Sequence, residues 1–244
     1  MPTLDDDFLN YPRRVKPLIY VFEASQGIPQ HYIAALNAAM NVATNALADC
    51  DRESADAAIK IGVLSYNDSF TWMYPELESA EHFRWKDYVT TGEAHLGIAL
   101  LELNKKLSRR AMLSFSTGSY APVIIFVGCN NPADDLWRKS LGELQRNNWY
   151  RNAVKIAILL DSITDPAVYE EIVGDPDAVM AVSNIEDFER VVVTTSLSAV
   201  FTYPRGTEEE GKMGAVVAQN VRNCLPEIFP MLATSGGWDE WDEW

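Results

Sequence analysis

The sequence predicts an α/β protein with a doubly wound, mainly parallel sheet that is covered by helices on both faces. Apolar runs of strand length recur along the 244 residues, and segments with helical spacing of apolar residues lie between them. Strands that alternate with helices are joined by right-handed crossovers, so they lie parallel. The near-continuous apolar run Val123–Val127 favours a central strand that is buried on both faces.

The predicted strands share an apolar, largely β-branched composition. They are Leu18–Phe22, Ile59–Tyr66, Val123–Val127, Val154–Leu160 and Val179–Val182. The piece SFTWMYP, Ser69–Pro75, is predicted to be a short antiparallel edge strand, because proline has no N–H to donate to a neighbouring strand.

Helices are predicted where apolar residues recur every three or four positions. The first helix has the apolar face Ile33, Leu36, Met40, Ala43 and Leu47; the second has Leu96, Leu100, Leu103 and Leu107; a weaker third has Leu136, Ser140, Leu141 and Leu144. Segment 186–201 is rich in β-branched residues, which favours a strand. Its apolar residues nevertheless follow helical spacing and Asn184 can cap its start, so we predict a helix.

The composition restricts the classes of partner. A formal net charge of -15 disfavours nucleic acid and anionic membranes, whose phosphates would be repelled. No apolar run approaches the roughly 20 residues that a bilayer span needs, and the N-terminus lacks an apolar signal core. The three cysteines, Cys50, Cys129 and Cys224, form no Cys-x-x-Cys pair, so neither a disulfide framework nor a zinc ribbon is expected. We therefore expect a cytoplasmic protein with reduced thiols.

Three short segments stand where predicted strands end or a predicted helix begins. The first strand is followed by Glu23-Ala24-Ser25-Gln26-Gly27, which sets a carboxylate, a hydroxyl and a glycine at alternate positions. Glu93-Ala94 precedes the second helix, and the central strand runs into the segment GCNNPAD, Gly128–Asp134. Such loops meet at the carboxyl edge of a parallel sheet, where open sheets bind ligands.

In this order, the pieces from about Arg14 to Phe201 resemble a bacterial von Willebrand factor A (vWA) domain. The resemblance is to the TerY-like branch found with tellurium-resistance and stress operons. Family members carry Asp-x-Ser-x-Ser, Gly-Gly-Thr and Thr-Asp-Gly-x-Pro-Thr-Asp in the three loops. These motifs hold one Mg²⁺ or Mn²⁺ at a metal-ion-dependent adhesion site (MIDAS), and the partner protein adds a carboxylate ligand. The resemblance implies a Rossmann-like vWA fold.

The chain departs from the family at the metal-binding positions. Only Ser25 is unchanged: Glu23 replaces aspartate, Gly27 replaces serine, Ala94 replaces threonine and Cys129 replaces aspartate. Mg²⁺ requires near-octahedral oxygen ligands, and a neutral thiol is a poor ligand for a hard cation. We therefore expect a degenerate MIDAS without metal or cofactor, whose edge binds protein. The residues assigned to that edge are Glu23, Ser25, Gly27, Glu93, Ala94, Cys129 and Asn130.

Other interpretations of these residues stay open. Glu23 can cap its turn or pair with a base, Ser25 and Gly27 are ordinary turn residues, and Cys129 can be an inert buried side chain. Two sharper alternatives use His95: a Zn²⁺ site made by Cys129, His95 and Glu23, or a thiolate nucleophile with a histidine base. A third is a binder that still depends on metal through Glu23 and Ser25.

The chain divides into an N-terminal segment, 1–13, a vWA-like domain, 14–203, a hinge with a short helix, 204–237, and a tail, 238–244. The tail, WDEWDEW, places Trp238, Trp241 and Trp244 three residues apart among acids. It is either a solvated acidic end or, as we predict, a docking peptide, because tryptophan contributes heavily to interfaces. Whether it docks on its own molecule, a second copy or another protein is left open.

The resemblance and the missing ligands together predict a non-catalytic, protein-binding or scaffold subunit. It would belong to a bacterial cytoplasmic stress-response or phage-defence complex. The expected partners are proteins, such as a kinase, a phosphatase or another subunit of the same operon, and neither nucleic acid nor a membrane.

Overall fold

The computed structural model describes residues 13–160, 165–202 and 212–229. Its strands are β1 Arg14–Glu23, β2 Ala57–Tyr66, β3 Phe70–Trp72, β4 Glu78–Ser79, β5 Val123–Gly128, β6 Val154–Leu160 and β7 Val179–Val182. Its helices are α1 Gln30–Glu53, α2 Leu96–Lys106, α3 Trp137–Leu144, α4 Asn148–Arg151, α5 Pro166–Val173, α6 Ile185–Phe201 and α7 Met213–Cys224. A 3₁₀ turn, Pro176–Ala178, precedes β7.

The strands form one sheet in the order β3-β2-β1-β5-β6-β7, and β4 pairs with β2 beside β3. The pairs among β2, β1, β5, β6 and β7 are parallel. Both β3 and β4 run antiparallel to β2. The predicted doubly wound α/β fold is confirmed, with one addition: β4 was not predicted, because a strand of two residues shows no periodicity.

Two helical layers cover the sheet, and β1 shows how they divide its side chains. Leu18, Tyr20 and Phe22 pack in a cluster that includes residues of α1, α6 and α7. Ile19 and Val21 pack in the other cluster, with residues of α2, α3 and α5. Both faces of β1 are therefore buried, as expected for a central parallel strand.

The predicted strands have the right centres, and some have the wrong ends. Strand β1 begins at Arg14 and not at Leu18, because its polar first residues still pair with β2. The predicted edge strand over Ser69–Pro75 is only Phe70–Trp72. Elements α4 and α5 were not predicted; four or eight residues give little helical period to read.

The prediction that segment 186–201 is helical is confirmed by α6. The Asn184 side chain accepts a hydrogen bond from the Asp187 N–H at 2.8 Å, which caps the helix start. The apolar face that includes Phe188, Val191 and Ala199 is buried. Burial of this face outweighs the weak helix propensity of the β-branched residues.

Helix α7 lies in the segment predicted to hold a short helix, and it ends before Pro226. None of the described helices has the length and apolar character needed to cross a bilayer. The tail residues Trp238, Trp241 and Trp244 lie outside the described residues.

Candidate functional site

Three loops meet at the carboxyl edge of the sheet and are joined by hydrogen bonds. The Gln26 N–H donates to the Gly92 carbonyl and the Thr91 N–H to the Ala24 carbonyl, both at 3.0 Å. The Ala133 N–H donates to the Ala94 carbonyl at 2.9 Å, which links the loop before α2 to the loop after β5. The segments that carry the three sequence motifs are therefore brought together.

The Glu23 side chain, at the end of β1, is the centre of this network. It is buried, with 2% of its surface exposed. Its Oε2 accepts hydrogen bonds from the backbone N–H groups of Cys129 and Asn130, both at 2.8 Å. Its Oε1 accepts from the Ser25 hydroxyl at 2.5 Å and from the Asn130 amide at 2.6 Å. Four donors thus satisfy a carboxylate whose burial would otherwise be costly.

The Asn130 amide lies where it contacts two oxygens at once. Its Nδ2 donates to Glu23 Oε1 and also lies 3.3 Å from Ser25 Oγ. A β-carbon added at Gly27 would come within 3.0 Å of the same Nδ2. Gly27 therefore leaves the space that the amide fills, and a larger residue would displace it.

The acid that ends the third motif has a structural role. Asp134 Oδ2 accepts a hydrogen bond from the Gly97 N–H, in the first turn of α2, at 3.0 Å. Carboxylates at a helix N-terminus are stabilising, because unpaired N–H groups point at them. A β-carbon at Gly97 would approach Asp134 Oδ1 to 2.5 Å, so the glycine permits this close contact.

The Cys129 thiol is buried, with 5% of the residue surface exposed. Burial raises its pKa well above the ordinary thiol value, and the nearby Glu23 charge raises it further. The thiol is therefore protonated at neutral pH, which makes it a weak nucleophile and a poor metal ligand.

Two tyrosines beneath the loops belong to the same polar cluster and were missed by the sequence analysis. The hydroxyls of Tyr66, at the end of β2, and Tyr169, on α5, are 3.2 Å apart. Burial raises the pKa of both, and the Glu23 charge adds to it. A β-carbon at Gly128 would lie 1.9 Å from the Tyr169 hydroxyl, so this glycine makes room for the pair. The one sequence signal for this tyrosine pair was the position of Tyr66 at the end of a predicted strand.

The remaining predicted residues lie on the loop before α2. Ala94 is buried and takes part only through its backbone. Glu93 is exposed, and its backbone N–H donates to Asp68 at 2.9 Å. The His95 imidazole is half-exposed and its Nε2 lies 3.7 Å from Glu93 Oε2. His95 is therefore oriented toward a surface carboxylate.

The side chains at this edge do not fit the divalent cation of the family. The Ser25 hydroxyl and the Asn130 amide direct N–H and O–H donors at Glu23, where a metal would need free lone pairs. Cys129 offers a protonated thiol. Across residues 13–160, 165–202 and 212–229, no group of three or more His, Cys, Asp or Glu side chains is placed to hold a metal ion.

No protein-family model and no curated protein matches the chain. Solved structures do. Proximal thread matrix protein 1 from the mussel byssus aligns with a TM-score of 0.57 and 11% identity over 76% of this chain and 48% of its own. A von Willebrand factor type A protein from Catenulispora acidiphila aligns with a TM-score of 0.53 and 12% identity over 76% of this chain and 43% of its own.

A third similar structure is the ArnB paralog VWA2 from Sulfolobus acidocaldarius, with a TM-score of 0.53 and 11% identity over 75% of this chain and 45% of its own. The aligned part spans less than half the length of each of these three proteins. Another structure of the mussel protein, with a TM-score of 0.51 and 13% identity, has a zinc-occupied MIDAS motif. At these identities the likeness concerns the fold: the chain has the vWA fold.

Proposed function

We propose that the chain is a non-catalytic protein-binding domain of the vWA type that engages its partner without a divalent metal. One observation carries the proposal: the Glu23 carboxylate, at the position of the first family ligand, already accepts four hydrogen bonds from protein groups. At the edge where family members bind a metal, hydrogen bonds from Ser25, Cys129 and Asn130 to Glu23 stabilise the loops instead.

The surface around Glu23 suits a partner that presents lysine or arginine next to apolar side chains. The described segments 24–29, 67–69, 89–95, 129–136 and 183–184 at this edge contain no lysine or arginine. Lys86 lines a pocket beside Asn67 and Val89, and its ammonium donates to the Met73 carbonyl at 3.1 Å. Exposed acids include Asp68, Glu93 and Asp135. Val89 and Leu136 stand beside them, 79% and 57% exposed. A carboxylate from a partner would be repelled here, whereas a basic group would be attracted.

The state of Cys129 and His95 supports a binding role over an enzymatic one. A thiol nucleophile needs a lowered pKa, and the pKa of Cys129 is raised. A histidine base has to contact the nucleophile, whereas His95 Nε2 faces Glu93. The same two facts disfavour a soft-metal site at this edge.

The proposed family branch and cellular role rest on the order of the sequence motifs. We propose a TerY-like protein that works in the bacterial cytoplasm as a subunit of a stress-response or phage-defence complex. A kinase, a phosphatase or another subunit encoded nearby is the proposed partner. The acidic edge, with its exposed apolar side chains, is consistent with such a protein partner.

Metal titration tests the central proposal. The melting temperature of the full chain is measured with Mg²⁺, Mn²⁺ and Zn²⁺ at millimolar concentration and again after EDTA, because a ligand that binds only the folded state raises it. We expect no change in melting temperature beyond that produced by NaCl of equal ionic strength. The positive control restores the family side chains through Glu23→Asp, Gly27→Ser, Ala94→Thr, Cys129→Asp and Asn130→Gly, and Mg²⁺ should stabilise that variant. A rise of several degrees in the natural sequence, reversed by EDTA, would contradict the proposal.

Partner capture tests the binding edge. Affinity purification from the native cytoplasm, with and without EDTA, should recover the same proteins in both conditions. Leu136→Arg should reduce recovery at least tenfold, since it places a cation and removes an apolar contact at the edge. Val216→Arg, a matched change at a residue that is 43% exposed on α7, should leave recovery unchanged. Loss of partners on EDTA treatment alone would restore the metal-dependent alternative.

A further inference from the structure

A pocket lies at the edge of the sheet opposite the proposed binding edge, where β1, β5 and β6 begin. Its volume is about 430 Å³, within the range of ligand-binding pockets. Its walls are mostly apolar or aromatic and include Tyr120, Trp149, Val154 and Met213. None of the residues assigned to the proposed metal-free binding edge lines this pocket.

Cations line the pocket on two sides. The Lys16 ammonium donates to the carbonyls of Val200 at 2.7 Å and Thr202 at 2.9 Å, at the end of α6. The Arg109 guanidinium lies 5.8 Å from the centre of the Trp149 ring, at the exposed side of the pocket. Burial lowers the pKa of Lys16 to about 8, so its ammonium still carries its charge at neutral pH.

Two of the loops at the pocket, both within the described residues, are basic in an otherwise acidic protein. Segments 107–122 and 145–153 contain four arginines and no Asp or Glu, although the chain carries a net charge of -15. The complementary sequence is the tail, 238–244, with three tryptophans, four acids and no basic residue. Tryptophan combines a large apolar area with a ring that stacks on aromatic faces and on guanidinium groups, which is what Trp149 and Arg109 offer.

The tail has enough chain to reach this pocket in the same molecule. Met213 lines the pocket and begins α7, and Cys224 follows eleven residues later, about 16 Å along the helix. The Phe229 N–H donates to the Leu225 carbonyl, so the chain turns there and stays close to the helix end. The nine residues from Phe229 to Trp238 span up to about 30 Å when extended. This is more than the length of α7, so the segment is long enough to return to the beginning of the helix.

We propose that the tail 238–244 docks in this pocket of its own molecule, with a tryptophan between Trp149 and Met213 and the acids facing Arg109 and Lys16. The pocket then recognises acidic, tryptophan-bearing peptides as a class, and a partner that carries such a peptide competes with the tail. This inference is independent of the metal-free edge, because the two sites lie at opposite ends of the strands.

Proteolysis of the tail tests the docking. A glutamate-specific protease cuts after Glu240 and Glu243, and mass spectrometry gives the cleavage rate. A synthetic peptide of residues 236–244 supplies the rate of the free sequence. We expect cleavage in the full chain to be at least tenfold slower than in the peptide. Arg109→Glu should bring the rate back toward that of the peptide.

Control variants test whether the loss of protection is specific to Arg109 and to the tail tryptophans. Arg110→Glu makes the same charge change at the adjacent exposed residue, which does not line the pocket, and it should alter the rate less than threefold. Unchanged melting temperatures establish that both variants fold. Replacing the three tail tryptophans by alanine, with the acids kept, should also abolish protection, measured against a peptide with the same changes.

Three results would overturn the proposal. Cleavage of the natural chain at the peptide rate would show that the tail is not docked. Protection that Arg109→Glu leaves intact would place the tail elsewhere, such as the groove of about 460 Å³ between α1 and α6 that Leu225 borders. Protection that disappears on hundredfold dilution would assign the tail to a second copy of the chain.

Discussion

The Asn130 amide contacts oxygens of Glu23 and Ser25, two positions at which the family resemblance places metal ligands. Its Nδ2 donates hydrogen bonds to Glu23 Oε1 at 2.6 Å and to Ser25 Oγ at 3.3 Å. An amide is neutral, so the Glu23 charge is balanced only by the dipoles of its four donors. Hydrogen bonds to a buried charged group are worth about 1.5–3 kcal/mol each, which makes this arrangement stable without a metal.

At this position we expect Asn130→Ala to lower the free energy of unfolding by about 1–3 kcal/mol, because Glu23 Oε1 loses a donor while buried. Urea denaturation measures the change. Asn45→Ala, at an exposed residue of α1, is the control and should change stability by less than about 0.5 kcal/mol. In a double-mutant cycle, Asn130→Ala and Glu23→Gln should be non-additive. Additive effects would mean that the two side chains do not act together.

The thiols provide a second residue-scale prediction. Burial and the Glu23 charge raise the pKa of Cys129, whereas Cys224 is exposed. We expect iodoacetamide at pH 8 to modify Cys224 at least tenfold faster than Cys129, as measured by mass spectrometry. Because the pKa of Cys129 is higher in the folded than in the unfolded chain, its stabilising contribution is fully present below the ordinary thiol pKa and is lost as the pH rises through the raised folded value. Rapid labelling of Cys129 in the folded chain would revive the thiol-enzyme alternative.

At the residue scale, the sequence could predict which residues lie at the edge, and it could not predict what they bond to. Glu23, Ala94 and Cys129 follow from strand ends and motif order. The bonding of the Asn130 amide depends on a rotamer and on the space above Gly27, neither of which leaves a pattern in the sequence. The tyrosine pair was missed because Tyr169 comes from α5, an element too short to predict.

Among the elements, α6 and β4 show where local pattern suffices. The helical spacing in segment 186–201 extends over four turns and correctly outweighed β-branched propensity. Two residues of β4 carry no comparable signal, and only the pairing of Glu78 and Ser79 with β2 defines them. Elements are predictable from the sequence when they are long enough for their buried face to repeat.

Two helical glycines give a matched prediction about packing of the elements. A β-carbon at Gly142 in α3 would meet nothing within 4 Å, so Gly142→Ala should stabilise the chain by about 0.5–1 kcal/mol through helix propensity. A β-carbon at Gly214 in α7 would lie 2.1 Å from the Lys155 carbonyl oxygen of β6. Gly214→Ala should therefore destabilise the chain, by about 1–3 kcal/mol. Thermal unfolding measures the stability of both variants. Equal changes in stability would mean that α7 does not pack this closely on β6.

Across the whole molecule, charge is distributed unevenly between the two ends of the sheet. Among the described residues, segments 24–29, 67–69, 89–95, 129–136 and 183–184 at the carboxyl edge contain acids and no lysine or arginine. Segments 107–122 and 145–153, at the pocket on the opposite edge, contain arginines and no acids. The sequence gives the total charge, but the separation appears only once the topology places these loops at opposite edges. The two proposed binding surfaces therefore differ in the sign of their charge, which would favour basic partners at one and acidic partners at the other.

The net charge and the metal-free edge lead to one prediction for the whole chain. A charge of -15 destabilises the compact state by self-repulsion, which salt screens over a Debye length of about 10 Å at 0.1 M. We expect the melting temperature to rise between 0.05 M and 0.5 M NaCl. MgCl₂ at low millimolar concentration should raise it no more than NaCl of equal ionic strength, because Glu23 has no free lone pairs for a cation. The restored-site variant is the control, and it should respond to Mg²⁺ beyond the salt effect. Stabilisation of the natural chain by Mg²⁺ in excess of matched NaCl would mean that the network around Glu23 opens to admit a metal.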